Sequence, residues 1–405
     1  MPSPWTPLNA TMDRSLPVPQ MIKLPNQAFP LLSNYLMIML SNFLSESVMS
    51  RTIYSCLLIL GLASGAVQAM QHTYSWSLEQ QLTENIDGVI RERFSQGQQA
   101  VLHRNNAPDL HYYRLINDPK NPCIVISPGR GEGYLKYQEL VFDVTNNGFN
   151  VAIIDHRGQG LSDREQSERH RGYVQSFDHY VDDLHHVVRS EIAPFCQGPM
   201  FLLGHSMGGT IASLYVQKYP EHFRAMALSA PMFALDKGNL PRWLATSMVS
   251  MGSGINHLFS DQAWYFFGHG PYKNKTFADN DLMHSKIRYQ IFRQTWEQHP
   301  KVQLGGVTFS WLNAALDGMD KTFAQLSQHK TPTLMLQAEQ DTVVDNQGQN
   351  EFCRQLQSLG NITCEQEAPV VITGAKHEIL FESDPMRQYA LTQVFDFYNA
   401  FVSAQ

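Results

Sequence analysis

The octapeptide LLGHSMGG (residues 202–209) places one serine between two glycines at the end of an apolar run. Phe201, Leu202 and Leu203 read as a buried strand, and the residues from Met207 to Lys218 carry a helical pattern. A strand that turns into a helix within one residue strains the backbone at the corner and exposes the side chain there. Gly204 and Gly208 are then needed, because any side chain at those positions would collide. Ser206 is therefore the candidate nucleophile.

The rest of the chain has the organisation this corner requires. Its 405 residues are 43% apolar and 17% charged, with no repeat and no low-complexity tract, which suits one large α/β domain carrying an insertion. Short apolar runs at 100–104, 110–116, 123–127, 150–155, 200–203, 225–229, 333–337 and 369–373 are predicted strands. Helical patterns at 135–146, 177–192, 207–218, 346–357 and 384–401 lie between or after them. Such alternation predicts a mostly parallel sheet covered by helices on both faces. The alternation breaks once, at 231–330, where helical segments rich in Trp and Tyr replace strands. That stretch is expected to form a helical cap after the sixth strand, above the carboxyl ends where ligands bind in open sheets. The core is then 70–230 and 331–405. A net charge of −7 provides no basic stripe to neutralise a row of phosphates, which argues against nucleic acid as a partner.

A serine hydroxyl is a weak nucleophile near neutral pH and needs a base, which in turn needs an orienting carboxylate. Of sixteen histidines, His377 lies in the loop that follows the last apolar run, the place where a base arriving late in the chain belongs. His205 adjoins the nucleophile, but its side chain is expected to point away, and His156 comes too early and is expected to buttress its loop. Glu339, Asp341 and Asp345 follow the seventh strand. Asp341 sits in the loop proper and is favoured, whereas Asp345 directly precedes a helical pattern and suits an N-cap. Backbone donors for a developing oxyanion are expected at Met207, which opens the helix after the corner, and at Arg130 in the glycine-rich loop ISPGRGEGY. The Arg130 side chain is then either a solvated charge or a neighbour of an anionic substrate group. No pattern calls for a cofactor or a metal ion; the five cysteines include no C-x-x-C.

The amino-terminal region reads separately. Arg51 precedes an apolar stretch, and Val67-Gln68-Ala69 has the small residues of a cleavage site, so 49–69 has the layout of a signal peptide. A membrane anchor is the alternative, although the stretch is shorter than the roughly 20 residues that span a bilayer. Residues 1–48 are expected to be a non-native extension or disordered. Export would put Cys123, Cys196, Cys353 and Cys364 in an oxidising compartment, with Cys353 and Cys364 the most plausible pair.

Taken together, ISPGRGEGYLKY, IIDHRGQGLSD, GYVQSFDHYVDDL, GHSMGG, ALSAPMF, LQAEQDTVVDN and GAKHEILFESD resemble the bacterial lysophospholipase L2 branch of the α/β-hydrolases, close to monoacylglycerol lipases. The similarity runs over about 74–401. GHSMGG marks only the superfamily, whereas PGR combined with GAKHEILFE is far more specific. The resemblance implies an α/β-hydrolase fold, with Ser206 as nucleophile, Asp341 as acid, His377 as base and the amides of Arg130 and Met207 as oxyanion donors. It implies cleavage of the acyl ester of a lysophospholipid, with a monoacylglycerol lipase or general carboxylesterase as the alternative and a non-catalytic binding protein as a remote one. The aromatic residues of the cap, among them Trp243, Phe266, Phe267, Trp296 and Trp311, are enough to cover an acyl chain, and Lys273, Lys275, Lys286, Arg288, Arg293 and Lys301 give the cap a basic balance suited to phosphate-bearing lipid or a membrane surface.

Overall fold

The computed structural model describes residues 73–235, 241–360, 364 and 368–402. The expected extension (1–48) and signal segment (49–69) lie outside the described residues. Eight strands form one sheet: β1 (Gln98–Leu102), β2 (Leu110–Leu115), β3 (Cys123–Ser127), β4 (Asn150–Ile154), β5 (Met200–His205), β6 (Ala225–Ser229), β7 (Thr333–Ala338) and β8 (Val370–Ile372). Their order is β1-β2-β4-β3-β5-β6-β7-β8. β2 runs antiparallel to both neighbours, and the pairs from β4 through β8 are parallel. Every residue of β3, β4, β6 and β7 is buried, as expected of parallel strands covered on both faces.

Side chains alternate between two apolar clusters, one on each face. Val125, Leu202, Met226 and Met335 point into the first, and Ile124, Phe201, Ala225 and Leu334 into the second. The described helices are α1 (Glu79–Asn85), α2 (Arg91–Ser95), α3 (Gln138–Asn146), α4 (Phe177–Val187), α5 (Met207–Lys218), α6 (Arg242–Phe259), α7 (Lys286–Gln298), α8 (Phe309–Ala324), α9 (Asn346–Ser358) and α10 (Asp384–Val402). α4, α5 and α9 supply the first cluster, and α3 and α10 the second. α4 starts where the Ser176 side chain accepts from the Asp178 amide, and α8 where Thr308 accepts from Trp311. Full burial of a side chain such as Phe201 stabilises the fold by about 2–3 kcal/mol.

The 231–330 stretch contains α6, α7 and α8 and, among the described residues, only isolated bridges in place of a strand. α8 places Trp311, Ala314, Ala315 and Met319 in the first cluster, so the insertion is rooted in the sheet domain's own core. Trp296 is buried in the second cluster, while Trp243 and Phe267 face solvent. α1 and α2 did not figure among the expected helices; with the segment 86–90 that joins them across a kink at Gly88, they bury Leu82, Ile90 and Phe94. Cys353 bonds to Cys364, and Cys123, at the start of β3, bonds to Cys196 beyond α4.

Candidate active site

β5 ends at His205, and α5 begins at Met207. Ser206 between them has φ 51° and ψ −119°, a left-handed-side conformation that a side-chain-bearing residue holds only when its surroundings fix it. A Cβ at position 208 would lie 1.9 Å from the Ser127 carbonyl oxygen, so only glycine lets α5 approach β3 this closely. The Ser206 amide donates to Ser229 on β6, and its carbonyl accepts from Gly209 and Met232. The strained corner is thus held from three sides.

Three side chains from three loops meet at this corner. His377 Nε2 lies 2.8 Å from Ser206 Oγ, and His377 Nδ1 lies 2.7 Å from Asp341 Oδ2. With Nδ1 protonated, the imidazole donates to the carboxylate and accepts from the serine hydroxyl. Asp341 Oδ1 accepts from the amides of Val343 (2.8 Å) and Val344 (3.0 Å). Burial raises the pKa of Asp341, but the hydrogen bond and charge of His377 together with those two amides outweigh it and hold the carboxyl below its ordinary value. Asp345 accepts from the Gln347 amide as the N-cap of α9, and Glu339 accepts from the Gly374 amide on the surface. His205 turns away from Ser206 toward Glu132, and His156 is buried against Ser127 Oγ at 2.9 Å.

The loop after β3 carries Arg130 beside Ser206, and both Arg130 and Met207 line the same cavity as the serine. As the first residue of α5, Met207 has an amide with no intrahelical acceptor, aimed by the helix's positive end. Gln159, from the loop after β4, joins these two donor-bearing segments: it accepts from the Gly131 amide at 2.5 Å and donates toward Met207 Sδ at 3.3 Å.

The cavity above Ser206 has a volume of about 1260 Å³. Its apolar wall is built by Met232, Leu235, Val249 and Leu316 together with the cap aromatics Phe233, Phe266, Phe292, Trp311 and Phe323. The expected aromatic lining is therefore present but shared with aliphatic residues, because Trp243 and Phe267 face outward and Trp296 packs the core. The basic balance of the cap is also smaller than its composition implies. Arg288 is buried and bonded to Glu139 and Asp384.

Residues 118–384, more than half of the chain, match the family described as serine aminopeptidase, S33. The chain belongs to that family. Within it the chain is a lysophospholipase L2 homologue: lysophospholipase L2 of Escherichia coli (strain K12) is 40% identical over 290 residues, spanning 72% of this chain and 84% of the relative. Monoglyceride lipase of Homo sapiens is 27% identical over 237 residues, 58% of this chain and 70% of the relative. Among solved structures, a soluble variant of monoglyceride lipase from Saccharomyces cerevisiae in complex with a substrate analog superposes with a TM-score of 0.58 at 16% identity, covering 76% of this chain and 96% of that one. The fold is that of an α/β-hydrolase.

One feature of this family member escaped sequence reasoning, a buried ion network beneath the glycine-rich loop. Lys136 Nζ lies 2.5 Å from Glu132 and 2.6 Å from Glu378, and Glu132 also accepts from the Gly129 amide and the Tyr137 hydroxyl. Burial raises the Glu132 pKa, but Lys136 and His205 more than offset it, so the carboxyl sits well below its usual range. Burial lowers the pKa of His205, and the charges of Glu132 and Glu378 reverse this and raise it. Glu132, His205 and Glu378 present atoms within 4.8 Å of one another, as metal ligands would. The Lys136 ammonium already supplies the cation between the two carboxylates. The sequence signal was the i, i+4 spacing of Glu132 and Lys136; Glu378, far along the chain, gave none.

Proposed function

We propose that this chain is a serine esterase that removes the acyl chain of lysophospholipids through an acyl-enzyme. The observation that carries the reading is the hydrogen-bonded series Asp341–His377–Ser206 at the floor of a long apolar cavity. The likeness to lysophospholipase L2 supplies the substrate class. In this mechanism Ser206 Oγ attacks the ester carbonyl as His377 Nε2 takes its proton. The amides of Arg130 and Met207 receive the oxyanion, and Asp341 stabilises the imidazolium. His377 returns the proton to the departing glycerophosphoryl alcohol, and water, activated by the same base, then releases the fatty acid.

A single cavity accepts one acyl chain, so monoacyl substrates should be preferred. With matched chains, kcat/KM is expected to be highest on lysophosphatidyl lipids, about 10-fold lower on monoacylglycerol and lower still on intact diacyl phospholipid. Side-by-side hydrolysis assays check this. Monoacylglycerol ahead of every lysophospholipid would move the assignment to a monoacylglycerol lipase, and rapid diacyl cleavage would defeat both.

Contact with a lipid surface belongs to the same reading. Trp243, Met251, Leu258, Phe259 and Phe267 are more than 60% exposed on the cap, where soluble surfaces rarely keep large apolar groups together. Among the described residues no helix is long and apolar enough to cross a membrane. We further propose export by the 49–69 segment, supported by the pairing of Cys123, Cys196, Cys353 and Cys364 in two disulfides. Sequencing of the mature protein should begin at or near Met70, and the unreduced, denatured protein should titrate no thiol. A product that retains Met49, and with it Cys56, and titrates five free thiols refutes export.

A further inference from the structure

We propose that the Arg130 side chain is the subsite for the substrate's phosphate, and that it separates lysophospholipid from neutral monoacyl ester. This inference rests on the lysophospholipase reading above. Arg130 lines the Ser206 cavity, and its guanidinium donates from Nη2 to the carbonyls of Gly305 (3.0 Å) and Gly306 (2.8 Å) and lies 4.9 Å from the centre of the Trp311 ring. Its Nε is buried without a hydrogen-bond partner, and no carboxylate pairs with the group among the described residues. Burial lowers its pKa to about 10, opposed only by Tyr180 and Tyr265, so it remains charged at neutral pH. His269 lines the same cavity and feels that charge: burial first, then Arg130, lowers its pKa.

Arg130 is part-buried, and four more deeply buried cations of this protein are arranged differently. Lys136, Arg157, Arg288 and Arg387 each meet a carboxylate. Arg114 and Arg164 bond to neutral groups, but neither lines the cavity. Withdrawing a charge from water without a counter-charge costs several kcal/mol, and a ligand that brings the counter-charge recovers it. A lysophospholipid brings one at the right distance. From the scissile carbonyl carbon to phosphorus the path is six bonds, an extended reach of about 7 Å, close to the extended reach from an arginine's own amide to its guanidinium. An oxyanion held at the Arg130 amide therefore leaves the phosphate within range of the Arg130 side chain. Monoacylglycerol has no phosphate and leaves the cation unpaired.

Arg130→Gln keeps the backbone amide and removes the charge. We expect kcat/KM on lysophosphatidylcholine to fall about 10- to 100-fold more than on monoacylglycerol of the same chain length, with the difference reduced by high salt in the wild type. Equal losses on both substrates, as expected if Arg130 only ties the loop to Gly305 and Gly306, overturn the inference. A wild-type enzyme that does not favour lysophosphatidylcholine refutes the lysophospholipase reading, and this inference falls with it; a wild type that does, beside a variant with an unchanged ratio, refutes the inference alone. Should the variant fail to fold, the wild type decides. Dodecyl phosphate is expected to inhibit at least about 10-fold more tightly than the neutral dodecyl glycerol ether, and equal inhibition overturns the proposal.

Discussion

Ser206→Ala and His377→Ala are each expected to lower turnover about 10⁴- to 10⁶-fold, and the double variant to be little worse than either, because nucleophile and base act as one unit. The structural costs should differ. Ser206→Ala removes one hydroxyl from a corner fixed by the Ser229, Gly209 and Met232 backbone contacts and should change unfolding free energy by less than about 1 kcal/mol. His377→Ala takes a partner from the buried Asp341 carboxylate and should cost about 1–3 kcal/mol. Steady-state kinetics on a lysophospholipid together with urea unfolding measure both quantities. A tenfold loss for either variant would remove these residues from the chemistry.

Two neighbouring carboxylates give the second large contrast. Asp341→Asn presents an amide to His377 Nδ1 and favours the wrong imidazole tautomer, so turnover should drop by about 10⁴-fold with the fold intact. Asp345→Ala loses the Gln347 cap and should cost about 1 kcal/mol of stability with less than about a tenfold change in turnover. If the Asp345 variant were inactive and the Asp341 variant active, the acid would have to be reassigned.

The corner at Ser206 was legible because its constraints are local: a strand, a tight turn and a helix, each signalled by residues next to it. Asp341 and Asp345 could be told apart for the same reason, since only Asp345 abuts a helical pattern. The central strands β3, β4, β6 and β7 were found within a residue or so because burial on both faces makes them continuous apolar runs. α1 and α2 were not, since a largely polar segment interrupted by Gly88 gives a weak periodic signal. Structural ion pairs across long stretches of chain were invisible, unlike the catalytic pairing of Ser206 with His377, which its chemistry announced. Lys136 meets Glu378 242 residues away, and nothing near either residue announces the other. The cap misled through composition: Arg288 counts as surface charge in a sequence but is buried in the structure, and Trp296 counts as lipid-binding area but packs the core.

His377 follows β8, the last strand of the sheet, and must be carried to a serine 171 residues earlier. A chain emerging from the ribosome therefore contains its nucleophile long before it contains its base. Until β8 docks on β7, His377 is not held beside Ser206, whatever the state of the corner. Under the proposed function this is a safeguard supplied by connectivity alone, because half-made copies lack the base that the serine needs. The Ser206–His377 contact and completion of the sheet appear together.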